Sequence, residues 1–246
     1  MGKMRVTTEI LSVPFDVCTM DEAVAKVLGF FEDGRQHIVC TPNPEIVMEA
    51  QTDGQLMSIL KAADLVVPDG VGVVWASQRT ARPVPERVAG YDLCMRVLEE
   101  MAKTGKTAYF FGGAPDVAAT AAKRAMKRFD RLKVLGAHNG YFDEAEERKL
   151  LQELKNNPPD LLMVGLGAPK QEKWIYENLR FTKVRVAIGV GGCFDVMAGN
   201  VKRAPKIFRK LGLEWFYRLI SQPSRWRRML RLPQFVLRVM TQKPTK

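Results

Sequence analysis

The stretch DLLMVGLGAPKQEKW, residues 160–174, indicates the fold class of this chain. Its first half is an apolar run without polar alternation, which is typical of a strand buried on both faces of a sheet. Glycines and a proline then form a turn, and the polar residues that follow suit the start of a helix. A buried strand that leads directly into a helix is the repeating unit of a parallel sheet covered by helices.

The same pattern recurs on both sides of that stretch. Five further apolar runs are HIVCT (37–41), LVV (65–67), TAYFFG (107–112), LKVLGAH (132–138) and VRVAIGVGG (184–192). Helical patterns precede or separate these runs. The sequence therefore predicts an α/β fold, a Rossmann-like, mostly parallel sheet flanked by helices.

Turns rich in glycine, proline or polar residues follow five of the predicted strands. They are TPNP (41–44), PDG (68–70), GGAP (112–115), GLGAPK (165–170) and GG (191–192). Ligands of open α/β sheets bind outside the carboxyl ends of the strands. Backbone N–H groups at such turns also receive phosphate well. We expect a binding site along this edge, although each turn alone is equally consistent with glycines that serve tight turns.

Asp69 is a carboxylate on one of these turns, between two aliphatic runs. It either caps the helix that follows or takes part in chemistry. Lys170 lies in a predicted first helical turn, where a cation opposes the helix dipole, so it either binds an anion or extends into solvent. Arg87 suits a bidentate phosphate contact or a surface ion pair. Asp195 also has helix capping as its alternative.

The positive charge of the chain lies at its C-terminal end. The net charge is +11, and residues 201–246 hold 13 Lys and Arg against Glu214 alone, which gives that segment +12. The other 25 basic and 26 acidic residues give residues 1–200 a charge of −1. We therefore predict an α/β core over residues 1–200 and a basic, amphipathic helical appendage over residues 201–246.

Several classes of protein and site are disfavoured by the sequence. The four cysteines are scattered and the two histidines have no ligand-spaced partner, which disfavours zinc. No complete dinucleotide fingerprint or P-loop is present, which disfavours a nicotinamide-dependent oxidoreductase. No Asp-x-Asp pair is available to hold a divalent metal. No apolar run approaches the ~20 residues of a membrane-spanning helix. We expect neither a metal nor a cofactor.

An ordered set of motifs resembles the WecG/TagA/CpsF glycosyltransferases, over about residues 10–240. The motifs are TPNPE (41–45), PDGVG (68–72), PERVAG (85–90), FFGGAP (110–115), NGYF (139–142), LGAPKQEKW (166–174), VGGCFDVMAG (190–199), KRAP (202–205) and LEWFYRLISQPSRWRRMLRLPQFV (213–236). The resemblance is strongest to the TagA branch, the N-acetylmannosaminyltransferases of wall teichoic acid linkage-unit synthesis. One departure is Asp116, where many members carry glycine.

This resemblance implies a reaction and its partners. It implies inverting, metal-independent transfer of ManNAc from UDP-ManNAc to the 4-hydroxyl of GlcNAc-diphospho-undecaprenol. It also implies a peripheral protein of the cytoplasm, at the inner face of an anionic membrane, without nucleic acid as a partner. Within the family, ManNAcA or glucose remain alternative donor sugars. The oligomeric state stays open, with a homo-oligomer among the alternatives.

The resemblance also implies roles for individual residues. Asp69 matches the catalytic base, with Thr41 and Asn43 beside it, and Arg225 and Arg228 match an appendage that closes over the site. Together with the turn residues, the expected substrate-binding set is Arg87, Gly112, Gly113, Gly167, Lys170, Gln171, Gly191, Gly192, Asp195, Arg218, Arg225 and Arg228.

The basic C-terminal segment leaves a non-enzyme alternative, a protein that binds nucleic acid through this segment. Apolar residues are interleaved with the basic ones there, which suits a lipid interface better. These residues are Trp215, Phe216, Leu219, Ile220, Trp226, Leu230, Phe235 and Val236.

Overall fold

A parallel six-stranded sheet forms the centre of the molecule, as the sequence predicts. The computed structural model describes residues 5–221 and 226–242. The sheet order is β4-β3-β8-β7-β5-β6, and every pair of neighbours is parallel. Its strands are β3 (His37–Cys40), β4 (Leu65–Val66), β5 (Thr107–Gly112), β6 (Lys133–His138), β7 (Leu161–Gly165) and β8 (Val186–Gly189). The prediction of an α/β fold is confirmed.

Helices cover both faces of the sheet. The core helices are α1 (Met20–Phe30), α2 (Pro44–Ala50), α3 (Gly54–Ala62), α4 (Val71–Ser77), α5 (Gly90–Thr104), α6 (Val117–Arg128), α7 (Glu144–Asn156), α8 (Lys170–Asn178) and α9 (Cys193–Ala198). Neighbouring strand residues enter opposite clusters: Phe110 packs with residues of α1, α5, α6 and α9, whereas Phe111 packs with residues of α7 and α8. Burial on both sides explains why the strands are apolar without alternation.

An antiparallel hairpin precedes the sheet and was not predicted from the sequence. Its strands are β1 (Thr7–Ile10) and β2 (Val13–Asp16), joined by Leu11 and Ser12 with φ of +49° and +64°. Two left-handed residues are what a tight hairpin turn requires. Asp16 attaches the hairpin to the sheet, because its Oδ2 accepts a hydrogen bond from the Val66 backbone N–H at 2.8 Å.

Residues 44–62, whose polar and apolar residues follow a helical pattern in the sequence, form two helices rather than one. Asp53 interrupts the pattern, because its side chain accepts a hydrogen bond from the Leu56 N–H and caps α3. The C-terminal pattern is also divided, and Gly212, where φ is +71°, separates its first two helices. The helices of this part are α10 (Lys206–Lys210), α11 (Glu214–Ser221), α12 (Trp226–Met229) and α13 (Arg231–Thr241). Pro233 lies in the first turn of α13, where its missing N–H is tolerated.

The last helix packs onto the sheet domain. Phe235 is fully buried in a cluster that also contains Cys40, Val47 and Val73. Beside it, Arg231 forms an ion pair with Glu49 of α2. No helix in the described part of the chain is both long enough and apolar enough to cross a membrane.

Candidate active site

A cavity of about 840 Å³ lies outside the carboxyl ends of β3, β4, β7 and β8. This is the position at which open α/β sheets bind ligands. The core contributes its strand-end turns, and the C-terminal segment contributes further lining residues. The side chains used in the argument below are Thr41, Asn43, Asp69, Arg87, Tyr91, Gln171, Arg203, Glu214, Trp215, Arg231 and Phe235.

Asp69 lies at this edge on the turn after β4. Gly70 has a φ of +97° and begins the next helix without a side-chain cap, so Asp69 does not cap α4. Its Oδ2 instead accepts a hydrogen bond of 3.2 Å from the backbone N–H of Gly90, at the start of α5. The positive end of that 15-residue helix favours a carboxylate. The side chain is 28% exposed, so a ligand can reach it.

Thr41 and Asn43 come from the turn after β3 and line the same cavity. The Thr41 hydroxyl donates a long hydrogen bond of 3.4 Å to the Gly189 carbonyl. Asn43 Oδ1 accepts from the Ile46 N–H at 3.0 Å and caps α2. A side chain at Gly90 would collide with Thr41, so the glycine there lets β3 and α5 converge. Three predicted residues, Asp69, Thr41 and Asn43, therefore lie in one cavity.

Arg87 lies between two carboxylates in the cavity wall. Its Nε is 3.5 Å from Asp69 Oδ1, and one of its terminal nitrogens donates to Glu214 Oε2 at 2.6 Å. Burial acts to lower the pKa of Arg87, but the charges of Asp69 and Glu214 outweigh burial and raise that pKa above its ordinary value. The guanidinium is therefore a fixed positive charge beside Asp69.

The turns after β7 and β8 are joined by Gln171 of α8. Gln171 Oε1 accepts from the Gly191 N–H at 2.9 Å, and its Nε2 donates to Glu172 Oε1 at 2.8 Å. Gly167 and Gly192 line the cavity together with Gln171 and Gly191. Burial raises the pKa of Glu172, which is only 3% exposed, while the hydrogen bond from Gln171 opposes that rise.

Other predicted site residues lie apart from this cavity. Lys170 lines a separate depression, and its Nζ lies 5.1 Å from the Phe142 ring centroid. Gly112 packs against the Gly165 carbonyl at a φ of +128°, and Gly113 donates to that same carbonyl at 2.9 Å. These two glycines and Asp195 are not among the described residues that line the cavity. Their predicted contacts with substrate remain predictions.

Three predicted arginines belong to the C-terminal segment. Arg225 and the side chains of Arg218 and Arg228 lie outside the described residues. Asp116, at the start of α6, has a φ of +65°, in the left-handed region that favours glycine and that Asp tolerates.

Comparison with known proteins assigns the chain to a family. Residues 8–246 match the model of the glycosyl transferase WecG/TagA/CpsF family. The chain belongs to this family. It is 37% identical over 211 residues to a Bacillus spizizenii protein, covering 86% of this chain and 81% of the relative. It is 34% identical over 233 residues to a Staphylococcus aureus (strain MW2) protein, covering 94% and 91%. Both relatives are named N-acetylglucosaminyldiphosphoundecaprenol N-acetyl-beta-D-mannosaminyltransferase.

Family membership confirms the resemblance drawn from the motifs and makes this chain a glycosyltransferase. It does not support the alternative of an inert α/β body attached to a nucleic-acid-binding segment. The described residues of this glycosyltransferase contain no group of three or more His, Cys, Asp or Glu side chains placed to hold a metal ion. The absence of a metal requirement stays a prediction.

Several side chains that line the cavity were not predicted from the sequence to be site residues. Arg203 donates twice to Asp92, at 2.8 and 2.5 Å, and stacks over the Tyr91 ring at 4.5 Å. Arg203 lies in the KRAP motif, and this motif could have identified it as a site residue. Glu214 had a signal of another kind, since it is the single acidic residue in the basic segment.

Buried Glu172 makes the stability of the folded protein depend on pH. Its folded-state pKa is raised above the ordinary value of 4.5, so its stability contribution is complete below pH 4.5 and is lost as the pH rises through the raised pKa. We expect the free energy of unfolding of the wild type to fall, relative to Glu172→Gln, as the pH rises above 4.5 and through the raised pKa of Glu172. Urea unfolding at a series of pH values measures the difference.

The matched control for this comparison is Glu144→Gln, which removes a carboxylate that is 91% exposed. That variant should follow the wild type at every pH. Parallel stability curves for the wild type and Glu172→Gln would contradict the raised pKa of Glu172.

Proposed function

We propose that this glycosyltransferase moves ManNAc from UDP-ManNAc to the 4-hydroxyl of GlcNAc-diphospho-undecaprenol, with inversion and without a metal ion. The observation that carries the proposal is Asp69, a reachable carboxylate in the cavity at the carboxyl edge of the sheet. The names of relatives that align with most of this chain support the choice of sugars.

Asp69 acts as the general base. The acceptor hydroxyl oxygen attacks the anomeric carbon of the donor sugar as the bond from that carbon to the diphosphate oxygen breaks. The hydroxyl proton passes to Asp69, and UDP leaves with the bonding electron pair. A single-step inversion needs one such base. The Gly90 N–H and the Arg87 guanidinium hold the carboxylate in place before the reaction begins.

Arginine side chains of the cavity stabilise the charge that develops on the departing UDP. Arg87 and Arg203 both line the cavity and are oriented by carboxylates, Asp92 in the case of Arg203. Preorganised positive charge in a partly dry site stabilises a developing anion strongly. Thr41 and Asn43, on the same wall as Asp69, bind sugar hydroxyl or acetamido groups.

The donor sugar is the finer part of the proposal. Members of the family that use ManNAcA or glucose are the alternatives, and they would use the same cavity and the same base. The names of the relatives favour ManNAc.

The C-terminal segment is proposed to complete the site and to hold the enzyme on the inner face of the cell membrane. Trp215, Arg231 and Phe235 line the cavity from this side. Elsewhere on the segment large apolar side chains face solvent, among them Leu237 at 64% and Met240 at 57% exposure. The segment also carries a charge of +12, and each basic residue near an anionic surface contributes roughly 1 kcal/mol.

The catalytic proposal predicts the behaviour of Asp69→Asn. Its acceptor-dependent release of UDP should fall by about two orders of magnitude or more, because a carboxamide cannot accept the proton. Turnover of the wild type should survive EDTA. The assay uses UDP-ManNAc and a short-chain lipid diphosphate that bears GlcNAc.

The control is Asp21→Asn, which changes an exposed carboxylate that pairs with Arg96 on the surface. It should retain wild-type turnover. Full activity of Asp69→Asn would reduce Asp69 to a cap of α5, and loss of wild-type turnover in EDTA would show that a metal is needed.

The membrane proposal predicts binding to vesicles. The protein should bind vesicles that contain anionic lipid more tightly than neutral ones, and salt should weaken that binding. Replacing both Leu237 and Met240 by serine should weaken it by about tenfold or more, because these side chains would enter the lipid interface. Co-sedimentation measures the partition.

Phe181→Ser is the control here, since it removes an exposed aromatic side chain that lies outside the C-terminal segment. It should bind as the wild type does. Equal binding to anionic and neutral vesicles, or an unaffected double variant, would argue against this segment as the membrane contact.

A further inference from the structure

Glu214 is the one acidic residue among the last 46 residues of the chain, where 13 residues are basic. Its Oε2 accepts a hydrogen bond from Arg87 of the core, 127 positions away in sequence. The negative charge of Glu214 therefore acts directly on a residue of the cavity.

The contact between Glu214 and Arg87 has the geometry of a strong, partly desolvated pair. Its length is 2.6 Å, and the two side chains are only 13% and 21% exposed. Exposed ion pairs contribute about 0–1 kcal/mol to the free energy of unfolding. In this pair, by contrast, both side chains are largely shielded from solvent. Removing one partner of a shielded pair leaves an uncompensated charge, which is strongly unfavourable.

Arg87 connects this pair to the candidate base. Its Nε faces Asp69 Oδ1 at 3.5 Å, which is an ion-pair distance but too long for a strong hydrogen bond. Asp69 therefore does not by itself fix the guanidinium. The shorter contact with Glu214, made by a terminal nitrogen of the same planar group, provides the firmer hold. The order Asp69–Arg87–Glu214 crosses from the core to the C-terminal segment.

Other charged groups surround this line. Asp92 of α5 also acts on Arg87, and Arg203 feels the charges of both Asp92 and Glu214. The thiol of Cys94 lies within electrostatic range of Asp69, and burial raises its pKa well above the ordinary value, so it stays neutral. Of these groups, Glu214 alone comes from α11. The position of its charge relative to Arg87 therefore depends on how the C-terminal segment packs against the core.

We infer that Glu214 is a positioning residue, which holds Arg87 against Asp69 and thereby makes the geometry and the charge at the base depend on the docked C-terminal segment. The inference rests on the proposed function, in which Asp69 is the base. It assigns a role to a side chain that touches Arg87 and need not touch either substrate.

The first test measures the pair without catalysis. Thermal unfolding of the wild type, Arg87→Gln, Glu214→Gln and the double variant forms a double-mutant cycle. The melting temperature of the double variant should be higher than the sum of the two single losses predicts, because either single variant already removes the contact between the two side chains. Additive losses would mean that the pair does not form, and the inference would be wrong whatever the activity.

The second test measures the effect on Asp69. Glu214→Gln should lower kcat by about tenfold, because Arg87 loses its firmer anchor. It should also move the acid limb of the pH dependence of kcat to lower pH by about half a unit, because removing a nearby negative charge favours the ionised base. Glu214→Asp, which keeps the charge, should keep the acid limb in place and recover part of kcat.

The matched control is Glu144→Gln, which removes a carboxylate that also lies in the first turn of a helix and also pairs with an arginine, Arg148. Its kcat and acid limb should equal those of the wild type. If Glu214→Gln lowers only the melting temperature and leaves kcat and the acid limb unchanged, Glu214 is structural and the inference fails. A wild type without acceptor-dependent turnover would refute the proposed function instead, while the unfolding cycle would still report on the pair.

Discussion

Parallel pairing of the strands is the constraint on which the site depends. Because every neighbouring pair in the sheet is parallel, the carboxyl ends of all six strands lie at one edge. Turns that are far apart in sequence, after β3, β4, β7 and β8, therefore open into one cavity. The hydrogen bond from the Gly90 N–H to Asp69 then joins the end of β4 to the start of α5. A carboxylate at a helix N-terminus is held firmly and still reaches the cavity.

The C-terminal segment contributes to this site in two physical ways. Apolar packing seats α13, because Phe235 is buried against the core and Arg231 pairs with Glu49. Electrostatics connects α11 to the base, through Glu214 and Arg87. A segment whose charge suits a membrane surface thus also lines the cavity. In the proposed function this arrangement brings a lipid-linked acceptor and the base to the same place.

The sequence predicts the sheet well because burial on both faces leaves unbroken apolar runs, and it predicts the edge because tight turns need glycine and proline. The hairpin β1–β2 was missed, since its turn residues Leu11 and Ser12 carry no glycine signal. Lys170 shows a second limit: its position at a helix start is visible in sequence, but its direction, over Phe142, is set by packing. The pairing of Glu214 with Arg87 joins residues 127 positions apart, and no local pattern encodes it.

The central claim is that this cavity transfers ManNAc to a lipid-linked GlcNAc. The most direct measurement is acceptor-dependent UDP release by the wild type with UDP-ManNAc, compared with its C2 epimer UDP-GlcNAc and with UDP-glucose. The account predicts turnover with UDP-ManNAc that needs the acceptor, and a product heavier by one N-acetylhexosamine. Inactivity with UDP-ManNAc alongside turnover with another UDP-sugar would contradict the donor assignment, and inactivity with all of them would contradict the transfer reaction itself.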